Sequence, residues 1–336
     1  MDHQKQALRI GAAAIAFAMI LRLLSFTFSA AGDIFQETQW LSLAVFLQTG
    51  RVVRYPQAQQ TKPEMPEFIQ PTQPTQPQQP TEPGLPVFSE GDLKIVKVNN
   101  DSGYKLELEA LLTSALSWDL TDGQPAVLIL HTHATEAYTP TPQTQYEASS
   151  DYRTMDAHYN MVSIGEEVAR ILREGGVGVL HDKTFHDHPS YNGSYNDARK
   201  TIQAYLEDYP SIRMVLDIHR DAAASGSSGQ LNTSATVEGQ PSAQIMLVIG
   251  TDASGNHHPN WRTNLALAMK LTAQLERENP GITRPIHLRP ERFNMDMTAG
   301  SLLVEVGAAG DTHDEAMVAA NALARAVLAL AKGTSE

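Results

Sequence analysis

The sequence predicts an α/β domain, a three-layer sandwich around a central and mostly parallel sheet, carried behind a long N-terminal extension. Short apolar runs at 127–130, 177–180, 214–218 and 302–306 alternate with amphipathic helical patterns, and such alternation builds parallel sheets covered by helices. Two of these runs lead straight into histidine, and the last encloses a glutamate between apolar neighbours. In α/β folds ligands bind beyond the carboxyl ends of the strands. At 336 residues the chain exceeds one ordinary domain, which leaves room for one catalytic-sized domain plus accessory segments.

Taken in order, residues 10–31 are apolar or small apart from Arg22, with Lys5 and Arg9 before them and Asp33 and Glu37 after. About 20 such residues span a bilayer, and the basic flank stays in the cytoplasm. This predicts a transmembrane anchor over 1–32, with the N-terminus cytoplasmic and the body extracytoplasmic. Ser29-Ala30-Ala31 keeps a cleaved signal peptide as the other reading. Residues 33–55, with Trp40, Leu41, Leu43, Val45, Phe46 and Leu47, form an amphipathic juxtamembrane segment or a plain helical spacer. Residues 56–87 contain nine prolines among Gln, Thr and Glu, a composition that favours extended polyproline II at ~3.1 Å per residue. The folded domain, expected to carry any catalytic site, is assigned to 88–333.

Within it, Leu93, Ile95, Val96 and Val98 alternate imperfectly with lysines and predict an edge strand. A short helix is expected over 106–115. Met161, Ile164, Val168, Ile171 and Leu172 have helical spacing and run into Gly175-Gly176, a stop signal. Ser194-Tyr195-Asn196-Asp197 resembles a capping box before a helix that reaches about Asp208. Residues 231–237 and 243–249 look like a strand pair, and 261–278 is a long amphipathic helix. After the last strand, Thr312-His313-Asp314-Glu315 caps a terminal helix that runs to about Lys332.

The chemistry is bounded by composition. A net charge of -13 with no basic run argues against nucleic acid. Cysteine is absent, which removes disulfides, thiol nucleophiles and thiolate-bound metal. No Gly-x-Ser-x-Gly elbow, phosphate-binding glycine loop or His-Glu-x-x-His helix is present. What remains is His131 and His133 after one strand, His219 after another, and Glu305 inside the last. A zinc site of hydrolytic type takes three protein ligands and keeps one position open. The third ligand is then a carboxylate, with Glu136 and Asp156 both open. Glu305 is too costly to bury unpaired, so it is a general acid or base beside the metal, or an arginine partner. The loop His181-Asp182-Lys183-Thr184-Phe185-His186-Asp187-His188 and the segment after it are either polar surface or the lining of a groove, with His186, Tyr191, Tyr195 and Arg199 as candidate contacts. Arg220 and His131 complete the candidate substrate contacts.

Several long motifs occur together and in order. They are Ile129-Leu130-His131-Thr132-His133-Ala134-Thr135-Glu136-Ala137-Tyr138, Arg153-Thr154-Met155-Asp156 with Asn160, His181-Asp182-Lys183-Thr184 through Tyr195, Leu216-Asp217-Ile218-His219-Arg220-Asp221-Ala222, and Leu303-Val304-Glu305-Val306-Gly307. In these, over residues 92–330, the chain resembles the stage II sporulation protein P family of cell-wall hydrolases, and the anchor and tether suit it. That family is similar to zinc N-acetylmuramoyl-L-alanine amidases of the three-layer α/β type. The resemblance implies His133 and His219 as zinc ligands, Asp156 at the position of a zinc glutamate, and Glu305 as the catalytic carboxylate. It implies cleavage of the muramoyl–L-alanine amide of peptidoglycan, with D,D-endopeptidase action on cross-links as a second activity. It further implies partnership with stage II sporulation proteins D and M in remodelling the septal wall during engulfment. Two other readings stay in view: a His-x-His amidohydrolase-type metal hydrolase, and a catalytically inactive wall-binding scaffold.

Overall fold

The computed structural model describes residues 68, 85–225 and 229–334. The predicted anchor, the juxtamembrane segment and all of the linker before Leu85 except Phe68 lie outside the described residues. Among the described residues, no helix is long and apolar enough to cross a membrane.

A 3-10 turn (Glu90–Lys94) and a short strand β1 (Val98–Asn100) open the domain. The single edge strand predicted from Leu93 onward is therefore divided. Ser89 and Asp92 close a reciprocal cap that turns the chain helically, and the ladder begins only at Val98. Helix α1 (Leu108–Thr113), β2 (Pro125–Leu130), α2 (Met161–Glu174), β3 (Gly178–His181), α3 (Ser194–Asp208) and β4 (Met214–Asp221) follow. After them come the short pairs β5 (Ala224–Ser225) with β6 (Gly229–Gln230) and β7 (Ala235–Val237) with β8 (Gln240–Ser242). The chain then forms β9 (Ile245–Gly250), α4 (Trp261–Glu278), β10 (Ile286–Arg289), a 3-10 turn (Met295–Met297), β11 (Ser301–Ala308) and α5 (His313–Ala329).

Seven strands form one sheet in the order β1-β10-β9-β11-β4-β2-β3. Every neighbouring pair is parallel except β11 and β9. The strand pair expected between 231–237 and 243–249 does not form. Residues 235–242 make their own hairpin, and β9 enters the large sheet antiparallel to β11. β10 lies outside the predicted elements.

Alternation along the strands assigns the two faces. Val127 and Ile129 of β2, with Met214, Leu216 and Ile218 of β4, join the large core shared with α2, α4 and α5. Leu128, Leu130 and Val215 face the other way, onto Ala198, Ile202 and Tyr205 of α3. Phe68, the one described residue of the linker before Leu85, packs on this second cluster beside Leu206, Tyr209 and Met297.

Helix boundaries follow local chemistry. Asn160 caps α2 by accepting from the Val162 amide at 3.0 Å, and Gly176 at φ +88 turns the chain out of it. Thr312 and Glu315 form the predicted reciprocal cap of α5. The predicted box at Ser194 does not form. Gly193, left-handed at φ 100, precedes α3 instead, and the Ser194 hydroxyl is turned toward the strand ends.

Candidate metal centre

Beyond Leu130 the β2 backbone leaves the ladder and enters a turn, and the Glu136 amide bonds back to the His133 carbonyl at 3.2 Å. That turn brings Glu136 beside His133. The Met161 amide, at the start of α2, holds the Glu136 carbonyl at 3.1 Å. His219 comes from β4, whose Asp217 and His219 share the α3 face with Val215. Glu305 of β11 is paired in parallel register with His219, so its side chain leaves the sheet on the same face, one strand away, ~4.8 Å in the sheet plane.

His133, Glu136 and His219 are all buried, and one ligand atom from each falls within 4.8 Å of the others. His133 Nδ1 is 3.6 Å from Glu136 Oε1, and His219 Nδ1 is 3.4 Å from Glu136 Oε2. The far side of each imidazole is also engaged. His133 Nε2 meets Ser194 Oγ at 3.0 Å. His219 Nε2 lies 2.9 Å from Asp217 Oδ1, though off the line of a hydrogen bond. Asp217 is itself fixed by the Thr132 amide at 2.8 Å and the Thr132 hydroxyl at 2.6 Å. Metal-binding histidines are oriented in this way, with the second ring nitrogen held and the first left free for the ion.

The electrostatics belong to a cation site. Burial alone would raise the Glu136 carboxyl, yet Arg220, His219 and His133 hold it down at about 2. Burial pulls His133 down to about 4, so its imidazole is a neutral donor. For His219 burial is outweighed by Asp217 and Glu136, which raise it well above the ordinary imidazole value. A proton on Nδ1, the nitrogen that faces Glu136, stands on the atom that would serve as metal donor. Glu305 is pushed up to about 8, chiefly by burial and then by Glu136 and Asp221, against the pull of His219 and Arg220. Its Oε2 is buried without a hydrogen-bond partner among the described residues, as is Arg220 Nη1. Two imidazoles, one carboxylate and a neighbouring unpartnered carboxyl oxygen fit zinc with an open position.

The other predicted residues are distributed differently. Asp156 is not in the cluster. Its carboxylate is 41% exposed and bound to the His158 amide and ring at 3.0 and 2.9 Å, because an Asx turn holds it outside α2. His131 is fully buried behind the cluster and cannot meet substrate. His186 is buried too, tied to the His131 carbonyl and Thr201 Oγ1, each at 2.9 Å. Arg220 is buried against the Ala137 and Tyr152 carbonyls and backs Glu136 rather than facing the cleft. Arg199 is clamped by Asp296 through two bonds of 2.8 Å. Tyr191 and Tyr195 do border the site. The Tyr191 ring, 54% exposed, stacks on His133 at 4.5 Å and carries Arg153 on its other contact at 4.9 Å. Tyr195 meets His133 edge-on at 5.5 Å.

Sequence reasoning gave no role in the site to Asp217, Ser194 or Arg153. Asp217 had a signal, since it lies two residues before His219 on one strand and must share its face. Arg153, which bridges Glu136 at 3.1 Å and Asp187 at 2.8 Å, comes from a distant loop, and Ser194 from the first turn of α3, where it reads as a cap; neither carried a signal for the site.

Comparison with known proteins gives the chain its relatives. It is 26% identical over 215 residues to the stage II sporulation protein P of Bacillus subtilis (strain 168), an alignment covering 61% of this chain and 50% of that protein. The chain thus spans about half the length of the curated relative it matches. Among solved structures it is similar to the N-acetylmuramoyl-L-alanine amidase AmiC2 of Nostoc punctiforme, at 13% identity and a TM-score of 0.34, covering 60% of this chain and 95% of that one. It is also similar to the CwlD amidase from Clostridioides difficile in complex with the GerS lipoprotein, at 10% identity and a TM-score of 0.37, covering 60% and 96%. The family match itself runs from residue 39 to residue 328, nearly the whole chain, and on that extent the protein belongs to the stage II sporulation protein P family.

Proposed function

We propose that this chain is a zinc-dependent peptidoglycan hydrolase of sporulation that cleaves the N-acetylmuramoyl-L-alanine amide. The observation that carries the reading is the buried His133–Glu136–His219 cluster with the unpartnered Glu305 carboxyl one strand away. Family membership supports the cell-wall and sporulation context.

His133, Glu136 and His219 would hold the ion. Once bound, zinc supplies Lewis acidity to a scissile carbonyl and to water, and its charge favours the ionised form of the nearby Glu305. Glu305 takes the proton from the attacking water at Oε2 and returns it to the leaving amine nitrogen. Burial excludes competing water from that oxygen. Asp217 and Ser194 keep the imidazoles turned inward. Tyr191 and Tyr195 form the wall over His133 against which a glycopeptide packs.

In the same proposal residues 1–32 anchor the chain with the catalytic domain outside the cytoplasm, and the septal wall is the substrate surface. Protease shaved onto intact cells is expected to remove the domain, and a protected domain would sink this placement. For the chemistry, the full chain is incubated with purified peptidoglycan with and without zinc, and the products are read by mass spectrometry. Free stem peptides beginning with L-alanine are expected. Lactyl–alanine amides left intact in the presence of zinc would overturn the reading.

A further inference from the structure

His131 has a place in the fold that its position beside the metal cluster does not explain. Its Nδ1 is 2.9 Å from the Ile218 carbonyl. A carbonyl only accepts, so Nδ1 carries a proton and donates. Nε2 lies 2.9 Å from His181 Nε2, so a single proton bridges the two rings. His181 Nδ1 then lies 3.0 Å from Glu166 Oε2. Hydrogen bonds from His181 and Lys183 hold the Glu166 carboxyl well below the ordinary range, so it too is an acceptor. Lys183 Nζ stands 2.8 Å from the same oxygen, and Arg173 3.5 Å from the other. His181 Nδ1 therefore donates to Glu166. Burial, against the pull of Glu166, holds His181 below the ordinary imidazole value.

The fold makes room for this chain. Gly165 of α2 lies over both rings, where a Cβ would come within 2.6 Å of His131 Nε2 and 2.7 Å of His181 Nε2. The chain also ends at a telling place. As strands, β2 and β4 are paired only up to Leu130 and Asp217. Past that point side chains continue the join. Thr132 binds Asp217 on the α3 side, and His131 binds the carbonyl just before His219 from the α2 side. His133 and His219 each follow these ties by one residue.

We infer that Glu166, His181 and His131 form a buried hydrogen-bonded chain that fixes the separation of the two strand ends and so positions His133 and His219 for a metal ion. The inference rests on the metal reading above. His181 and Glu166 are positioning residues and touch neither ion nor substrate.

Two measurements test it. In the full chain labelled with 15N-histidine and kept in chelator at neutral pH, Nδ1 of both His131 and His181 is expected to show a protonated shift. A native His181 with a bare Nδ1 overturns the inference. Zinc affinity by chelator competition is the second readout. His181→Phe is expected to weaken binding 10- to 100-fold, the range for groups that orient metal ligands. His181→Gln, whose amide still donates to His131, is expected to recover most of it. Unchanged affinity in a folded His181→Phe removes the positioning role, and if that variant does not fold, unchanged affinity in Glu166→Gln does the same. A native chain that holds no zinc overturns the functional reading and the positioning role together, whereas the protonation of His181 is decided by the spectra alone.

Discussion

Exchanging Glu136 for Gln and, separately, Asp156 for Asn distinguishes the two carboxylates that compete in the sequence for the third metal position. Glu136 is held at about 2 rather than near 4.5, a lowering that stabilises the ion-free fold by about 3 kcal/mol at neutral pH. The group is depressed in the fold, so this stability is present above the unfolded value and is lost as pH falls from about 4.5 toward 2. Glu136→Gln removes it and leaves Arg220 buried without its counter-charge, a change that costs roughly 3–5 kcal/mol. In chelator, the smaller of these figures lowers the melting temperature by ~6–12 °C for a domain of this size. Asp156→Asn touches only an exposed pair with His158 and is expected to leave the melt within about 0.5 kcal/mol. Zinc content by mass spectrometry of the native protein completes the test: near-stoichiometric in Asp156→Asn, lost in Glu136→Gln. Zinc retained by Glu136→Gln, above all together with its loss in Asp156→Asn, would refute the ligand set.

Glu305→Gln is expected to keep zinc while lowering the rate of stem-peptide release about 10²- to 10⁴-fold, the usual contribution of a general acid–base group; full activity would remove its role. Tyr191→Ala, at the exposed rim, is expected to raise KM on peptidoglycan with kcat and zinc content nearly unchanged. Gly165→Ala, whose methyl would press on His131 and His181, should destabilise the fold by about 1–3 kcal/mol in urea titrations. His258 is fully buried with both ring nitrogens unpartnered among the described residues, and burial pulls it from 6.5 to about 4. The unfolded chain binds its proton first, so stability is lost as pH falls through that window, by about 2 kcal/mol at pH 5. The difference between native chain and His258→Phe, from urea unfolding at pH 7.5 and 5, should shrink by that amount, and an unchanged difference would refute it.

The parts of this fold that were legible in the sequence are those in which one residue's neighbours along the chain decide its state. The helix 261–278 has a long amphipathic period and forms from Trp261 to Glu278, and the α5 cap is written within four residues. β10 was illegible because four residues of mild alternation next to proline, Ile286-His287-Leu288-Arg289, carry no more signal than a loop. Ser194 was misread for a related reason. A hydroxyl three residues before a carboxylate or amide reads as a cap, but His133 offers it a partner from 61 residues away, and no local pattern records that competition. The same holds for the loop histidines. A run of His and Asp reads as a solvated surface, yet His181 and His186 are buried against His131.

The His-x-His pattern itself shows where strand periodicity stops being informative. Extended backbone would send His131 and His133 to the same face of the sheet, and the sequence of β2 assigns that face to α2, since Val127 and Ile129 already point there. His219 and Glu305 leave the sheet on the α3 face, so two histidines kept in strand geometry could supply no ligand to them. The turn that begins at Thr132 resolves this. His131 keeps the strand's alternation and joins the buried chain to Glu166, while His133 is carried over to Ser194, Tyr195 and His219. One residue of turn thus divides two identical side chains into a candidate ligand and its support. The candidate ligand set is decided by where β2 ends, which is fixed in turn by Asp217 binding the amide of Thr132 rather than leaving it to a ladder.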